Sequence, residues 1–290
     1  MLSEKNMGYV FVALSAAGFG LLSVLIKLSY SLGAEPMTLL GARFMVAVVA
    51  IWILALVVDR DALRIGRKDL VYIALVGPFG VGLSSILYFY SLQLVDASLF
   101  AALLYTYPSM VNVAAAVWLR ERLTPRRILA LVITFAGVLF VTGLERLGSM
   151  QVSLLGVLLG LGASATYAIY TLGIQRQTRR HPPLVVNTYV LTFGTLMVLL
   201  VRPPLAWQGS LDWPVLALVA TMALFCTIMP IFLYLTGIRR IGAGRAAIVS
   251  NLEPIVTIML AMTVLAERLE GIQFLGVLAV LVGVVLSEGE

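Results

Sequence analysis

Long apolar runs, separated by short polar segments, follow one another along the whole chain. A helix needs about 20 mostly apolar residues to cross the hydrocarbon core of a bilayer. The short segments between the runs carry the Gly, Pro and charged residues that commonly end helices. The pattern predicts an all-α integral membrane protein with ten transmembrane helices, near residues 8–28, 37–58, 70–94, 97–119, 128–144, 154–174, 184–201, 214–238, 246–265 and 272–286.

The composition supports this prediction and excludes several other classes of protein. Of 290 residues, 61% are apolar and 12% are charged, and soluble proteins are usually about 25% charged. An ordinary soluble enzyme, a disordered chain and a nucleic-acid-binding protein are therefore not expected. The chain has one cysteine, Cys226, and one histidine, His181, which are too few for an internal disulfide or a metal centre. We expect no cofactor.

Lysine and arginine are distributed unevenly between the connections. With a cytoplasmic N-terminus, fifteen of them fall in cytoplasmic segments, against three on the opposite side, Arg146, Arg202 and Arg268. Cytoplasmic loops of membrane proteins carry the excess of basic residues. The distribution predicts an even number of helices with both termini cytoplasmic. The basic loops are expected to meet an anionic bilayer surface.

The first half of the chain resembles the second when one is shifted by 146 residues. Identical residues then coincide: Tyr88 with Tyr234, Pro108 with Pro254, and the Glu-Arg-Leu sequence of 121–123 with that of 267–269. The shift predicts two repeats of five helices, residues 1–147 and 148–290. Because five is an odd number, the second repeat enters the membrane from the opposite side, and the two repeats are inverted.

Inverted repeats are typical of secondary transporters. Two similar halves of opposite orientation can exchange roles, which gives inward-open and outward-open states of similar energy. The chain has no GxxxxGK[ST] loop for ATP and no HExxH or GxSxG motif for catalysis. We predict a transporter that uses alternating access and is not an enzyme. A channel and a membrane-embedded lipid-handling enzyme are the alternatives.

Prolines interrupt several of the predicted helices. Pro108 and Pro254 fall in the middle of the fourth and ninth helices, at equivalent places in the two repeats. Each removes a backbone hydrogen bond, so the freed carbonyl must find another partner or face a wet cavity. Pro78, in a glycine-rich stretch, and Pro230 loosen the third and eighth helices similarly. We predict hinges around a transport site, with static kinks as the alternative.

Aromatic and polar side chains deep in these helices indicate a substrate cavity, because lipid does not favour exposed hydroxyl groups. The predicted lining residues are Phe19, Ser85, Tyr88, Tyr105, Tyr167, Tyr170 and Asn251. An interfacial aromatic belt is the alternative role for the tyrosines. Such a lining suits a small molecule with an apolar body and a few polar groups, such as a neutral or aromatic amino acid. A phosphate ester would require several Lys or Arg residues.

Three charged residues lie within the predicted helices. Lys27 and Arg43 are near the outer ends, from which long side chains can reach water. Glu253 is deeper, immediately before Pro254. A carboxyl group at that depth is costly and predicts either proton coupling or a structural or gating role. Without ATP, transport must follow a gradient of the substrate or of a coupled ion.

These motifs resemble the drug/metabolite transporter superfamily and, within it, the bacterial EamA-type permeases of ten helices. The resemblance covers nearly the whole chain and rests on Phe19-Gly20, Arg43-Phe44, Tyr107-Pro108, Leu252-Glu253-Pro254 and the two Glu-Arg-Leu sequences. The overall pattern is most similar to the bacterial exporters of aromatic amino acids, the YddG type. The resemblance implies export of amino acids or related metabolites across the bacterial inner membrane. Drugs, sugar derivatives and nucleosides are the other substrate classes to consider.

Overall fold

A computed structural model describes residues 4–94, 100, 103–118, 124–141, 153–209, 211–264 and 271–288. The Glu-Arg-Leu sequences at 121–123 and 267–269, and the side chain of Lys27, lie outside the described part. The helices are α1 (Glu4–Ser31), α2 (Pro36–Val58), α3 (Arg67–Gly77), α4 (Ser84–Leu94), α5 (Tyr107–Trp118), α6 (Pro125–Val141), α7 (Leu154–Arg180), α8 (Pro183–Val201), α9 (Trp213–Ala223), α10 (Met229–Ile241), α11 (Ala243–Val249), α12 (Glu253–Val264) and α13 (Gly271–Glu288).

The described residues form an all-helical protein whose helices suit a bilayer. One isolated antiparallel bridge, between Ala34 and Gly209, joins two connecting segments. Six helices are long and apolar enough to span a membrane: Glu4–Ser31, Pro36–Val58, Arg67–Ser91, Leu154–Arg180, Pro183–Val201 and Trp213–Ile241. The prediction of an all-α membrane protein is thereby confirmed. The count of ten spans and the side of the termini stay predictions.

Large apolar side chains cover the outside of the bundle. Val57 and Leu200 are 79% and 80% exposed, and Trp213 is 81% exposed. Soluble proteins seldom leave contiguous apolar surface of this kind. Lipid tails, which need no hydrogen bonds, are its natural surroundings.

The third and eighth of the predicted transmembrane helices each contain a π-helical segment. Pro78–Leu83 joins α3 to α4, and Leu224–Ile228 joins α9 to α10. The two segments coincide under the shift of 146 residues. Such segments are rare and occur often at functional sites. In the second one the Thr227 hydroxyl donates to the Met222 carbonyl oxygen at 3.0 Å, which provides a partner inside the irregular turn.

The placement of Pro108 and Pro254 in mid-helix is wrong. Each is the second residue of a helix, α5 or α12. The chain turns at residues 105–106 before α5 and forms a 3₁₀ turn, Ser250–Leu252, before α12. A proline is tolerated in the first helical turn because its missing N–H has no intrahelical partner there. The preceding helix therefore ends before each proline, and a new helix begins one residue before it.

Equivalent helices of the two halves pack against each other in opposite directions. In the α6–α13 pair, Gly137 adjoins Gly276, whereas Gly283 lies near Ala130, so residue numbers fall along one helix as they rise along the other. Glycines allow these backbones to approach closely. The α2–α8 pair follows the same rule, since the indole nitrogen of Trp52 donates to the Thr192 hydroxyl at 2.9 Å and Thr195 donates to the carbonyl oxygen of Phe44 at 3.4 Å.

Contacts between different helices also occur twice. Helix α1 packs on α10, and its equivalent α7 packs on α4. In the first pair the Ser15 hydroxyl donates to the Pro230 carbonyl oxygen at 2.8 Å. In the second pair the Ser84 hydroxyl donates to the Ala163 carbonyl oxygen at 3.2 Å. The two bonds lie at equivalent places of the two helix pairs. The serine donor is on α1 in one pair and on α4, the equivalent of α10, in the other, so the halves have an approximate two-fold arrangement.

Candidate substrate cavity

A cavity of about 140 Å³ lies between the two halves. Both halves contribute aromatic side chains to its wall: Phe19, Phe44, Tyr88, Tyr107, Tyr167, Tyr170 and Tyr234. Both π segments reach it, through Gly80 and Val81 in the first and Cys226 and Thr227 in the second. The irregular backbone of the bundle therefore lies where a wet chamber can accommodate it.

Tyr167, in the middle of α7, is the centre of a cluster of four tyrosines. Its ring meets that of Tyr107 edge to face, with centroids 4.9 Å apart. It stacks on Tyr234 at 6.3 Å with an angle of 17° between the rings, and Tyr170 lies 5.8 Å away. Aromatic pairs in these geometries add about 0.5–1.5 kcal/mol each beyond burial. The cluster is thus a preformed aromatic surface at the cavity wall.

Hydroxyl groups of this cluster are connected to neighbouring helices. The Tyr234 hydroxyl lies 3.4 Å from that of Thr171 and also bonds with Tyr107 and Ser250. In contrast, the Tyr170 hydroxyl is buried without a hydrogen-bond partner among the described residues. A buried hydroxyl without a partner carries a free-energy cost, which a polar group of a ligand in the cavity can remove.

Gly80 lets the first π segment approach the aromatic cluster. A Cβ atom at this residue would overlap the side chain of Tyr170. Tyr170, in α7, is itself only 1% exposed. The close approach sets the position of one cavity wall relative to the other half of the chain.

Two groups of opposite charge line the cavity at separate places. Glu253 is the first residue of α12, and its side chain lines the cavity. Arg43, from α2, is 6% exposed, and its guanidinium lies 5.2 Å from the centre of the Phe44 ring. The electrostatic neighbours of Arg43 are Cys226, Tyr88 and Tyr30, not Glu253.

The end of the bundle that contains the start of α11 is closed by polar contacts. The Asn112 side-chain nitrogen donates to the Gly244 carbonyl oxygen at 3.3 Å. The Ala243 N–H donates to the side-chain oxygen of Gln175 at 3.1 Å. These bonds tie α11 to α5 and α7. The cavity lies towards the opposite end of the bundle from the start of α11. Its lining residues on α2 are near the start of α2.

The structure brings six of the residues predicted as lining or coupling groups to the cavity: Phe19, Ser85, Tyr88, Tyr167, Tyr170 and Glu253. Tyr105 and Asn251 are buried outside the lining. Pro108 and Pro254 directly follow the lining residues Tyr107 and Glu253. Pro78 begins the first π segment, and Pro230 follows the second closely.

Several lining residues were missed as site residues from the sequence, among them Arg43, Tyr107 and Tyr234. The internal repeat carries the signal for two of them. Under the shift of 146 residues Tyr107 coincides with Glu253, and Tyr234 coincides with Tyr88. Arg43 was expected to extend to water, whereas it is buried. Within the described residues, no group of three His, Cys, Asp or Glu side chains is placed to bind a metal ion.

The chain matches a known family of membrane proteins over both halves. The EamA-like transporter family matches residues 6–143 and again residues 154–288. The uncharacterized transporter YcbK of Bacillus subtilis (strain 168) is 30% identical over 284 residues, which are 95% of this chain and 90% of that protein. The uncharacterized transporter YetK of the same organism is 27% identical over 301 residues, 99% of this chain and 88% of that protein.

The fold also recurs in a solved crystal structure. It superposes with a TM-score of 0.79 at 17% sequence identity, over 98% of this chain and 96% of the other. At this identity the similarity establishes the fold. The sequence relatives establish the broader class, a membrane transporter.

Proposed function

This chain belongs to the EamA-like transporter family, and we propose that it is a secondary transporter that exports neutral or aromatic amino acids by alternating access. The observation that carries the proposal is the tyrosine-lined cavity, to which both halves of the chain contribute. A cavity between two repeats is where such transporters bind their substrates. Its π segments and helix breaks give it irregular backbone on both sides.

The proposed topology has ten membrane spans in two inverted repeats, residues 1–147 and 148–290, with both termini cytoplasmic in the bacterial inner membrane. The antiparallel packing of α6 with α13, and of α2 with α8, supports the inversion. The two separate family matches support the division into repeats. The distribution of lysine and arginine supports the cytoplasmic side.

In this topology the conformation is outward-facing. The contacts of Asn112 with Gly244 and of Gln175 with Ala243 then close the cytoplasmic end. The cavity then lies towards the outer end. Transport requires these contacts to break while the other end closes. The breaks before Pro108 and Pro254 are the proposed hinges of this exchange, because the α-helical hydrogen bonding is interrupted there by the turn at residues 105–106 and by the 3₁₀ turn Ser250–Leu252.

The chemistry of the lining supports an amino-acid substrate. Aromatic faces provide a surface for an apolar or aromatic side chain, and hydroxyl groups such as that of Tyr170 provide hydrogen bonds. Among the described residues, the cavity wall contains one basic residue, Arg43, and one acidic residue, Glu253. A nucleotide sugar or a phosphate ester would need more than one cation. Glu253 is the proposed proton-coupling group.

The test is transport by the purified protein in proteoliposomes. Labelled phenylalanine, tryptophan and threonine are supplied, with a sugar and a nucleoside for comparison, at two pH values. We expect saturable uptake of the amino acids, with counterflow when unlabelled substrate is present inside. Flux without saturation or counterflow would indicate a channel, and turnover of vesicle lipid without solute movement would indicate a lipid-handling enzyme.

A pair of tyrosine substitutions connects this activity to the cavity. Tyr167→Leu removes the centre of the aromatic cluster, whereas Tyr90→Leu changes a 41% exposed tyrosine that does not line the cavity. We expect loss of uptake in the first variant and normal uptake in the second. Equal uptake by both variants would contradict transport through this cavity.

A further inference from the structure

Arg43 is a buried charged side chain in the cavity wall. It is 6% exposed, and the cavity residues from its own helix and from α1 are Phe44, Phe19 and Leu22. Its Nε atom is buried without a hydrogen-bond partner. Across the part of the chain that the structure describes, no carboxylate forms a salt bridge with the guanidinium.

Burial of an uncompensated charge is costly, by several kcal/mol in proteins even after the structure relaxes. The described protein groups near Arg43 offset little of this cost. The Phe44 ring gives one cation–π contact at 5.2 Å, worth about 0.5–2 kcal/mol. A guanidinium presents five N–H donors in a planar fork that matches the two oxygens of a carboxylate. The partner that best fits the Arg43 guanidinium is therefore an anion with that geometry.

The acidic residue of the cavity does not take this role. Within the described residues no salt bridge joins Glu253 to Arg43, although both side chains line the cavity. Arg43 instead interacts with Tyr30, Tyr88 and Cys226. Arg43 and Glu253 therefore line the cavity as separate groups, and the tyrosines of the aromatic cluster line the same cavity.

We propose that Arg43 is the carboxylate-binding residue of the transporter, so that substrates must carry a free carboxylate and an apolar or aromatic body. The substrate enters with its carboxylate on the Arg43 guanidinium and its body towards Tyr167. This assignment rests on the proposed function, because it takes the cavity as the transport site. It goes beyond that function because it gives the bound substrate an orientation and makes the carboxylate the group that every substrate must carry.

Four probes of the same size class separate the carboxylate from the amine. Phenylalanine carries both groups, 3-phenylpropionate carries the carboxylate alone, and phenethylamine and phenylalaninamide carry the amine without a carboxylate. Binding is measured as the shift in thermal unfolding of the purified protein in detergent, which does not depend on transport. We expect shifts with phenylalanine and 3-phenylpropionate and none with the two amines. Equal shifts with phenethylamine would overturn the assignment.

Substitutions at Arg43 connect the preference to this residue. Arg43→Gln is expected to weaken phenylalanine binding roughly 10- to 100-fold, the equivalent of losing one charge-assisted hydrogen-bond pair. Arg43→Lys keeps the charge without the fork and should retain weak carboxylate-selective binding. Arg64→Gln removes the same charge from an exposed connection and should bind like the unsubstituted protein.

The variants also allow for a folding defect. If Arg43→Gln does not fold, the comparison of Arg43→Lys with the unsubstituted protein tests the same point, and identical affinities for phenylalanine in those two proteins would contradict a fork-shaped contact. Unchanged phenylalanine binding by folded Arg43→Gln would overturn the assignment outright. Carboxylate-selective binding without any vesicle transport would instead contradict the proposed function while leaving the anion site in place.

Discussion

Tyr107 and Glu253 are separated by 146 residues, and each begins a twelve-residue helix with a proline as its second residue. Both side chains line the cavity. The two halves therefore present a phenol and a carboxyl group at equivalent places. A carboxyl group is a much stronger acid than a phenol, so at this pair of places only the second half has a group suited to the proposed proton coupling.

The first prediction concerns Glu253→Gln. The amide keeps the shape of the side chain, so we expect a folded protein that still exchanges substrate in counterflow. A proton gradient should no longer drive net transport, because the amide does not ionise. The measurement is vesicle uptake with and without a pH gradient.

Asp61→Asn is the matched control for this substitution. Asp61 is an exposed residue that pairs with Arg64 three residues along the chain, and exposed pairs of this kind contribute about 0–1 kcal/mol. The control should keep both counterflow and gradient-driven transport. Gradient-driven uptake by Glu253→Gln at the rate of this control would show that Glu253 carries no coupling proton.

The sequence predicted the helical class and much of the cavity because both depend on local pattern. Apolar runs of membrane length identify helices whatever their packing, and the deep residues Tyr88, Tyr167 and Tyr170 were expected to avoid lipid. The burial of Arg43 was not predicted, since its distance from the helix end allowed it to extend to water. Its surroundings depend on Cys226 and Tyr88, which are far away in the sequence.

The breaks before Pro108 and Pro254 illustrate a second limit. A proline in an apolar run indicates that the helix is disturbed, but it fits both a kinked helix and the first turn of a new one. The choice between them depends on the preceding residues, Tyr105 and Thr106 in one half and the Ser250–Leu252 turn in the other. Those residues have no Gly or Pro to mark a boundary.

The close approach of Gly80 to Tyr170 predicts a packing defect in Gly80→Ala. The added methyl group would overlap the tyrosine side chain, and overpacking of this kind typically costs about 1–3 kcal/mol. We expect a lower unfolding temperature and weaker substrate binding, because Tyr170 must move. Gly66→Ala is the matched control, since a Cβ atom there meets nothing within 4 Å. Similar stability of the two variants would contradict a constrained contact at Gly80.

Pro254→Ala tests whether the break before α12 serves movement. The substitution restores a backbone N–H, which allows the helix to extend back through the Ser250–Leu252 turn. We expect a slower transport rate with no loss of thermal stability. Pro36→Ala, at the first residue of α2, is the control and should leave the rate unchanged. A normal rate in Pro254→Ala would make the break a static feature of the packing.

Glu35 gives the chain a pH-dependent contribution to stability outside the membrane spans. Partial burial acts to raise the pKa of its carboxyl group, but hydrogen bonds from the Thr38 side chain and from the N–H groups of Thr38 and Met37 outweigh it, so the pKa lies below its ordinary value of 4.5. Substitution of such a helix N-cap typically costs about 1 kcal/mol.

Because its folded-state pKa is lowered, Glu35 stabilises the folded state fully above pH 4.5, and this contribution is lost as the pH falls through the folded-state pKa. We expect Glu35→Ala to unfold at a lower temperature than the unsubstituted protein at pH 7, with a difference that narrows below pH 4.5. Asp61→Ala should show no comparable difference. A gap that is equally wide at pH 7 and at pH 3.5 would mean that the carboxylate charge makes no contribution.

The inverted topology predicts opposite locations for equivalent residues. Arg122 and Arg268 coincide under the shift of 146 residues, so an inverted pair of five-helix repeats puts Arg122 in the cytoplasm and Arg268 outside. The single native cysteine, Cys226, is 1% exposed and is replaced by alanine to remove background. Arg268→Cys should then react with a membrane-impermeant maleimide in intact cells, and Arg122→Cys only after the cells are opened. Labelling of both cysteines in intact cells would place the two equivalent segments on one side, which two five-helix repeats of opposite orientation do not allow.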